Sequence, residues 1–346
     1  MDFRELPVEV GRRIEGGRHE VHEVTLHGKG KHYAAKFFRE KGDRDEEYRK
    51  HMHIVRTLDE RARSLEAEMQ KLKERERDAH GQMSYAQVRE YQAKVLRLEM
   101  LSHRHSIGRV FEYSDNGPYC IVLQLEGKSM EKQLTSGSAK LPSGFEVLEC
   151  ARQLIGALSC IHNAGFHHND LNTDNILQKR VGGGYVIIDF GESGVSGSGI
   201  CKDRHYSQYS PPDRNRDCRG SFDVCSLASV LVELFVWGVL GGNDPVGVLQ
   251  RFREERGNDQ REHQQDFLDM TERFYINAEK LSPSVKTRLS WLGEEIPEVV
   301  KVLEEMLHVD PDKRPTASEA FVSFDKAIRR HFPPQHRSNG LTLLAC

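Results

Sequence analysis

His168-Asn169-Asp170-Leu171-Asn172-Thr173-Asp174-Asn175 is followed, fourteen residues after Asn175, by Asp189-Phe190-Gly191. Between the two, Ile176-Leu177 reads as a short apolar strand, Gly182-Gly183-Gly184 as turn material and Val186-Ile187-Ile188 as a buried return strand. A hairpin of that kind folds its ends together, so the sequence predicts Asn175 and Asp189 as spatial neighbours. An amide oxygen beside a carboxylate suits Mg²⁺, which takes one or two protein oxygens and completes its shell with water and phosphate. Asp170 adds a second carboxylate, of the kind that orients a hydroxyl for phosphoryl transfer.

The stretch resembles the catalytic loop and DFG element of the eukaryotic protein kinase superfamily. Other segments fall in the family's order. Ala34-Ala35-Lys36 resembles its lysine strand, Tyr209-Ser210-Pro211-Pro212-Asp213 its APE segment with Asp for Glu, and Asp223-Val224-Cys225-Ser226-Leu227-Ala228 the start of its buried helix. Asp310-Pro311-Asp312-Lys313-Arg314-Pro315-Thr316 is similar to its DPxxRPT signature, where the arginine pairs with the APE acid, implying Arg314 against Asp213. The resemblance runs from about residue 8 to residue 330. It implies an α+β, bilobal fold: a small antiparallel-sheet N-lobe over 1–125, a larger helical C-lobe over 126–330 and a flexible tail over 331–346.

The resemblance also implies the roles. Asp170 orients the acceptor hydroxyl, although an Asp after His and Asn is more often a turn or cap residue. Lys36 holds the α- and β-phosphates of ATP, where an isolated lysine would be a solvated edge residue. Asn175 and Asp189 hold Mg²⁺, and His168 braces the loop. Leu123 stands at the gatekeeper position, with Gln124 and Leu125 offering backbone groups to adenine. Gly16 is the only glycine of Ile14-Glu15-Gly16-Gly17-Arg18-His19-Glu20-Val21 that falls on the phosphate-covering loop, and an ordinary hairpin turn accounts for that stretch equally well. The glutamate expected to pair with Lys36 is replaced by Gln92, four residues before Leu96, with Glu90 and Glu99 as alternatives. Asn169 stands in place of the arginine that receives a phosphorylated activation loop. Asn172 stands in place of the lysine that neutralises γ-phosphate.

Residues 44–80 are the unusual part, read as a charged helical insert ahead of the Lys36-pairing helix. Ten acidic and ten basic residues there leave no net charge, and Val55, Leu58, Ala62, Leu65, Met69 and Leu72 recur at coiled-coil spacing. That seam predicts a homodimer through residues 54–73; the alternative is a helical hairpin resting on its own lobe.

Composition sets the class. The chain has 346 residues, a formal net charge of −3 and a pI near 6.6, so no basic field argues for nucleic acid or an anionic membrane. Seven cysteines lie without CxxC pairing, the pattern of free thiols in a reducing compartment. No run of eighteen apolar residues occurs, and the N-terminus lacks an apolar leader core. The expectation is a soluble cytoplasmic enzyme, an ATP- and Mg²⁺-dependent protein kinase acting on Ser or Thr. A non-catalytic scaffold signalling through the insert and a small-molecule kinase are the alternatives.

Overall fold

The computed structural model describes residues 8–14, 19–26, 31–78, 85–113, 119–136, 144–180, 183–196, 209–211, 220–240, 245–256, 297–308 and 310–331. Gly16, Asp213 and the tail beyond His331 lie outside them.

The N-terminal unit is a five-stranded sheet of β1 (Val8–Ile14), β2 (Glu20–Leu26), β3 (His32–Phe38), β4 (Val110–Tyr113) and β5 (Tyr119–Gln124). Its order is β1-β2-β3-β5-β4 and every pairing is antiparallel. Strand β3 lies at the centre and is buried from Tyr33 through Phe38. This explains its run of small and apolar side chains and places Lys36 between Val21 of β2 and Ile121 of β5.

The C-terminal unit is built on α4 (Gly144–Asn163) and α5 (Gly220–Phe235). The α4 positions Val147, Leu148, Ala151, Leu154, Ile155, Leu158 and Ile161 are all inaccessible to solvent, the stripe that a 3.6-residue period puts on one face. The segment Gly220–Gly238 is long and apolar enough to cross a membrane, but 78% of its most apolar window is buried against the rest of the fold. It is a core helix. Shorter helices α3 (Met130–Thr135), α6 (Pro245–Arg256), α7 (Pro297–Met306) and α8 (Ala317–His331) surround the pair. Two-residue strands β6 (Phe166–His167) and β9 (Gly194–Val195) pair with each other, as do β7 (Ile176–Gln178) and β8 (Tyr185–Ile187). The β7–β8 pairing, Ile176 opposite Ile187, is the hairpin read from the sequence.

Two helices join the units. Helix α1 (Lys41–Asp78) is a single rod of 38 residues, and α2 (Tyr85–Ser102) follows it. Helix α1 begins against β3, β4 and β5, then packs on α2 and on the 3-10 turn His103–Ser106, while α2 packs on α4. This corrects the reading of residues 44–80. The segment is helical, but it is not an insert ahead of the helix that faces Lys36; it is that helix. Of the residues expected to form a coiled-coil seam, Leu58, Ala62 and Leu65 are buried within their own chain, in keeping with the alternative of a hairpin resting on its own fold, while Val55 and Met69 are half-buried.

Gly156 fixes the approach of α4 to the turn after α2, because a Cβ at that position would overlap the His103 ring, itself packed on Phe321. Gly156→Ala is expected to destabilise the fold by about 1–3 kcal/mol, the usual cost of overpacking. Gly42→Ala, in α1 with nothing near its missing Cβ, is expected to be neutral or to stabilise by about 0.5–1 kcal/mol. Urea midpoints of the two variants check the pair; equal shifts would refute the packing argument.

Candidate active site

Lys36 is the meeting point. Its Nζ lies 3.0 and 2.9 Å from the two carboxylate oxygens of Glu47 and 2.8 Å from Oδ1 of Asp189. The Lys36 and Glu47 side chains are almost fully enclosed, while a third of the Asp189 side chain stays open to solvent. Burial works against the lysine's charge, but Asp189 and Glu47 outweigh it and hold Lys36 above the ordinary lysine value. Burial lifts the Glu47 carboxyl to about 7, Lys36 only partly opposing it. For Asp189 the same burial is overcome by Lys36, and its carboxyl sits below the ordinary aspartate range.

Glu47, not Gln92, is the partner of Lys36. Gln92 lies far along the chain on α2, in a groove lined by Tyr91, Val95, Glu99, Val322 and Arg329. Glu90 pairs with Lys94, and Glu99 with Arg152 and Arg329. The anion that the sequence reading replaced by an amide is therefore present. The buried face of α1 runs Arg44, Glu47, His51, Ile54, Leu58, Ala62, Leu65, in steps of three and four. Its first members are polar, which hid them from a search for apolar anchors.

The loop carrying Asp170 is held from beneath. Asp223, fully buried at the start of α5, accepts the backbone N–H groups of His168 and Asn169, both at 2.7 Å, and the His162 ring at 2.9 Å. That clamp supports Asn169 at φ 67°, in the left-handed region that asparagine tolerates better than most residues. The Asn169 side chain donates to the carbonyl of Glu192, tying the loop to the segment after Asp189. The His168 ring bonds the carbonyl of Ile188 at 2.9 Å, and the rings of His51, Phe190 and His168 stand in file, tilted against one another with centroids 4.5 and 5.1 Å apart.

Asp170 Oδ2 accepts from Asn175 Nδ2 at 2.8 Å, and Oδ1 from Asn172 Nδ2 at 3.1 Å. Burial raises its carboxyl above the ordinary range, with His168 and Asn175 opposing. Asn172 also accepts the backbone N–H groups of Asp174 and Asn175 through its own oxygen. At the place where the family's lysine would stand, this side chain organises the turn. The hairpin closes with Ile188 N donating to the carbonyl of Asn175 at 3.0 Å, so Asn175 and Asp189 stand near each other at its open end. Asn175 uses its nitrogen on Asp170 and Asp189 uses Oδ1 on Lys36 and Gly191. Among the described residues one oxygen of each is left for a hard cation, and the donor set fits Mg²⁺.

Leu123 is half-buried opposite Ala34, Gln124 is exposed with its N–H bonded to the carbonyl of Arg109, and Leu125 is buried. They follow one another where β5 leaves the sheet. Arg314 donates to the carbonyls of His308 and Ser221; its expected partner Asp213, and Gly16, lie outside the described residues.

Residues 9–323 match the family model of the protein kinase domain. The chain belongs to the protein kinase family. Similar proteins include mitogen-activated protein kinase pmk-1 of Caenorhabditis elegans, 31% identical over 49% of this chain and 45% of its own. Serine/threonine-protein kinase Kist of Rattus norvegicus is 28% identical over 36% and 33%, and serine/threonine-protein kinase Nek9 of Xenopus laevis 24% over 69% and 23%. The match thus spans less than half the length of each of these relatives.

In this kinase-family chain the file of rings contains an ionisable ring. Burial pushes His51 down to about 4, although Nε2 bonds the carbonyl of Gly108 at 2.5 Å. Burial also pushes His103 down to about 3. Above the ordinary histidine value near 6.5, folded and unfolded chains carry these rings neutral and the full stability is present. As pH falls toward 4, the unfolded chain takes up protons that the folded one refuses, and stability is lost. At pH 5 each ring should account for about 2 kcal/mol of that loss. Urea unfolding of His51→Leu at pH 7 and pH 5 should show the acid loss reduced by that amount; an unchanged loss would mean that His51 is not buried neutral.

Proposed function

We propose that this chain transfers the γ-phosphate of ATP to serine or threonine hydroxyls of proteins. The observation that carries the reading is the convergence on one cleft of Lys36, ion-paired to Glu47 and Asp189, and of Asp170, bonded to Asn175. In this reading adenine lies against the backbone of Gln124 and Leu125, Gly16 belongs to the loop covering the phosphates, and Lys36 binds the α- and β-phosphates. Magnesium, held by Asn175 and Asp189, supplies charge neutralisation and alignment of the phosphates. Asp170 accepts a hydrogen bond from the substrate hydroxyl and takes its proton as the new oxygen–phosphorus bond forms and the bond to the β-phosphate oxygen breaks. Phosphoryl transfer draws mostly on positioning and charge stabilisation, and the bonds from Asn172 and Asn175 set the direction of the Asp170 carboxylate. A cytoplasmic setting fits seven cysteines that lie without CxxC spacing.

The rival reading is a nucleotide-binding scaffold without transfer. Asn172, which brings no cation to the γ-phosphate, favours it. The presence of Glu47 weighs the other way, because Lys36 is held by charge-assisted bonds rather than by a neutral amide.

Radiolabelled transfer to a generic protein substrate tests the reading. Asp170→Asn should lower the rate by about 10²–10⁴-fold, as expected for loss of a proton acceptor. Transfer that survives this substitution would remove Asp170 from the role of proton acceptor, and stabilisation by Mg-ATP with no transfer would move the assignment to the scaffold.

Glu47→Gln should cost about 1.5–3 kcal/mol of transition-state stabilisation, or about 10- to 100-fold in kcat/KM for ATP. Gln92→Ala should leave that constant unchanged. The reverse order would restore Gln92 as the partner of Lys36.

A further inference from the structure

Helix α1 is anchored at both ends of its buried face. In its second turn Glu47 meets Lys36, and Lys50 reaches the carbonyl of Gly191 at 3.2 Å. Two turns later the same rod is fixed to the C-terminal unit. Ile54 and Leu58 belong to that unit's core, with Met100 and Leu101 of α2 packed against it. Asp59 Oδ1 lies 3.1 Å from Arg104 Nε, just beyond α2, and the Arg61 guanidinium donates to the carbonyl of Asn163, the last residue of α4. The His53 ring lies 5.4 Å from Phe166. Asn163 and Phe166 stand immediately before the loop that carries Asp170.

Helix α2 secures the arrangement from its other side. Ser159 and Cys160 of α4 donate to the sulfur and the carbonyl oxygen of Met100, and Glu99 pairs with Arg152 and Arg329. A continuous helix transmits position along its length, so this docking sets where Glu47 stands. The other route to such control runs through a phosphorylated segment after Asp189, and that route needs a cation beside the loop. Asn169 brings a neutral amide there, already bonded to Glu192, and a neutral amide cannot neutralise a phosphate.

We propose that the α1–α2 hairpin is the built-in activator of this enzyme: docking of Ile54, Leu58, Ala62, Asp59 and Arg61 on the C-terminal unit holds Glu47 against Lys36. Phosphorylation of the segment after Asp189 is then not required for activity. These are positioning residues, acting through Glu47 without touching substrate. The proposal rests on the phosphotransferase reading above and names how that same site is regulated.

The test uses the full chain treated with phosphatase and confirmed phosphate-free by mass. The wild-type protein should transfer phosphate in this state. Ala62→Glu, which forces a charge into the docked face, should lower kcat/KM for ATP by about tenfold or more. In a Glu47→Gln background the same change should cost less than about twofold, because the contact it acts through is already gone. Asp59→Arg should lower the constant and Arg104→Asp added to it should restore it, which keeps the test open if Ala62→Glu does not fold. Wild-type kcat/KM in folded Ala62→Glu, full multiplication of its effect with Glu47→Gln, or no recovery in the charge-swapped pair would overturn the proposal. So would a phosphate-free chain that is inactive until it is phosphorylated. Absence of transfer by the wild-type chain in both states would instead reject the phosphotransferase reading itself, and the proposal with it.

Discussion

A single buried ammonium shared by two carboxylates organises the molecule. Taking Lys36 out of water costs several kcal/mol unless anions accompany it. The partners come from far apart in the sequence: Glu47 from α1 and Asp189 from the end of the β7–β8 hairpin. The sheet, the long helix and the C-terminal unit are each bound to the lysine through one residue. Removing either acid leaves the lysine with a single partner, so the ion triad is a constraint on how the two units meet as well as a chemical site.

Beneath it a second buried charge does a related task. Asp223 has no solvent access and spends its oxygens on two backbone N–H groups and a histidine ring. Three donors make up for the burial and keep the carboxylate ionised, its pKa below the ordinary range. The strained φ of Asn169 is thereby over-determined, and the loop presents Asp170 in one orientation. Rigidity of the loop thus comes from α5, while the position of the lysine's partner comes from α1.

The local features were legible in the sequence. The loop, the Asp189 element and the hairpin between them lie within two dozen residues, and strand alternation, a glycine turn and apolar runs are short-range signals. The central placement of β3 and the α4 core stripe were legible for the same reason. Glu47 was not, although it lies only eleven residues after Lys36, because which acid reaches the lysine depends on how α1 packs against the sheet. The search expected an apolar anchor four residues on, and the structure puts His51 there, tilted against Phe190. The signal was nonetheless present: Leu65, Ala62, Leu58 and Ile54 define a face, and stepping it back by three or four gives His51, Glu47 and Arg44. In the seam read as a dimer interface, Leu58, Ala62 and Leu65 are covered by the chain itself, since periodicity tells which residues share a face and not what covers it.

The two asparagines of the catalytic loop change how charge is handled in the cleft. Lys36 faces Glu47 and Asp189, and Asp170 adds a carboxylate close enough to feel Asp189. A nucleotide bound on the proposed reading brings further negative charge to a place where one ammonium already serves two acids. Asn172 contributes hydrogen bonds that shape the turn but nothing to offset that charge. On that reading a divalent cation would carry more of the electrostatic load than it would beside a lysine. Asn175 spends its side-chain nitrogen on Asp170 and Asp189 spends Oδ1 on Lys36 and Gly191, which leaves Asn175 Oδ1 and Asp189 Oδ2 without a bond among the described residues. On that reading the loop has a turn-shaping amide where a cation could stand, and an ion held by Asn175 and Asp189 would be the main added source of positive charge at the phosphates.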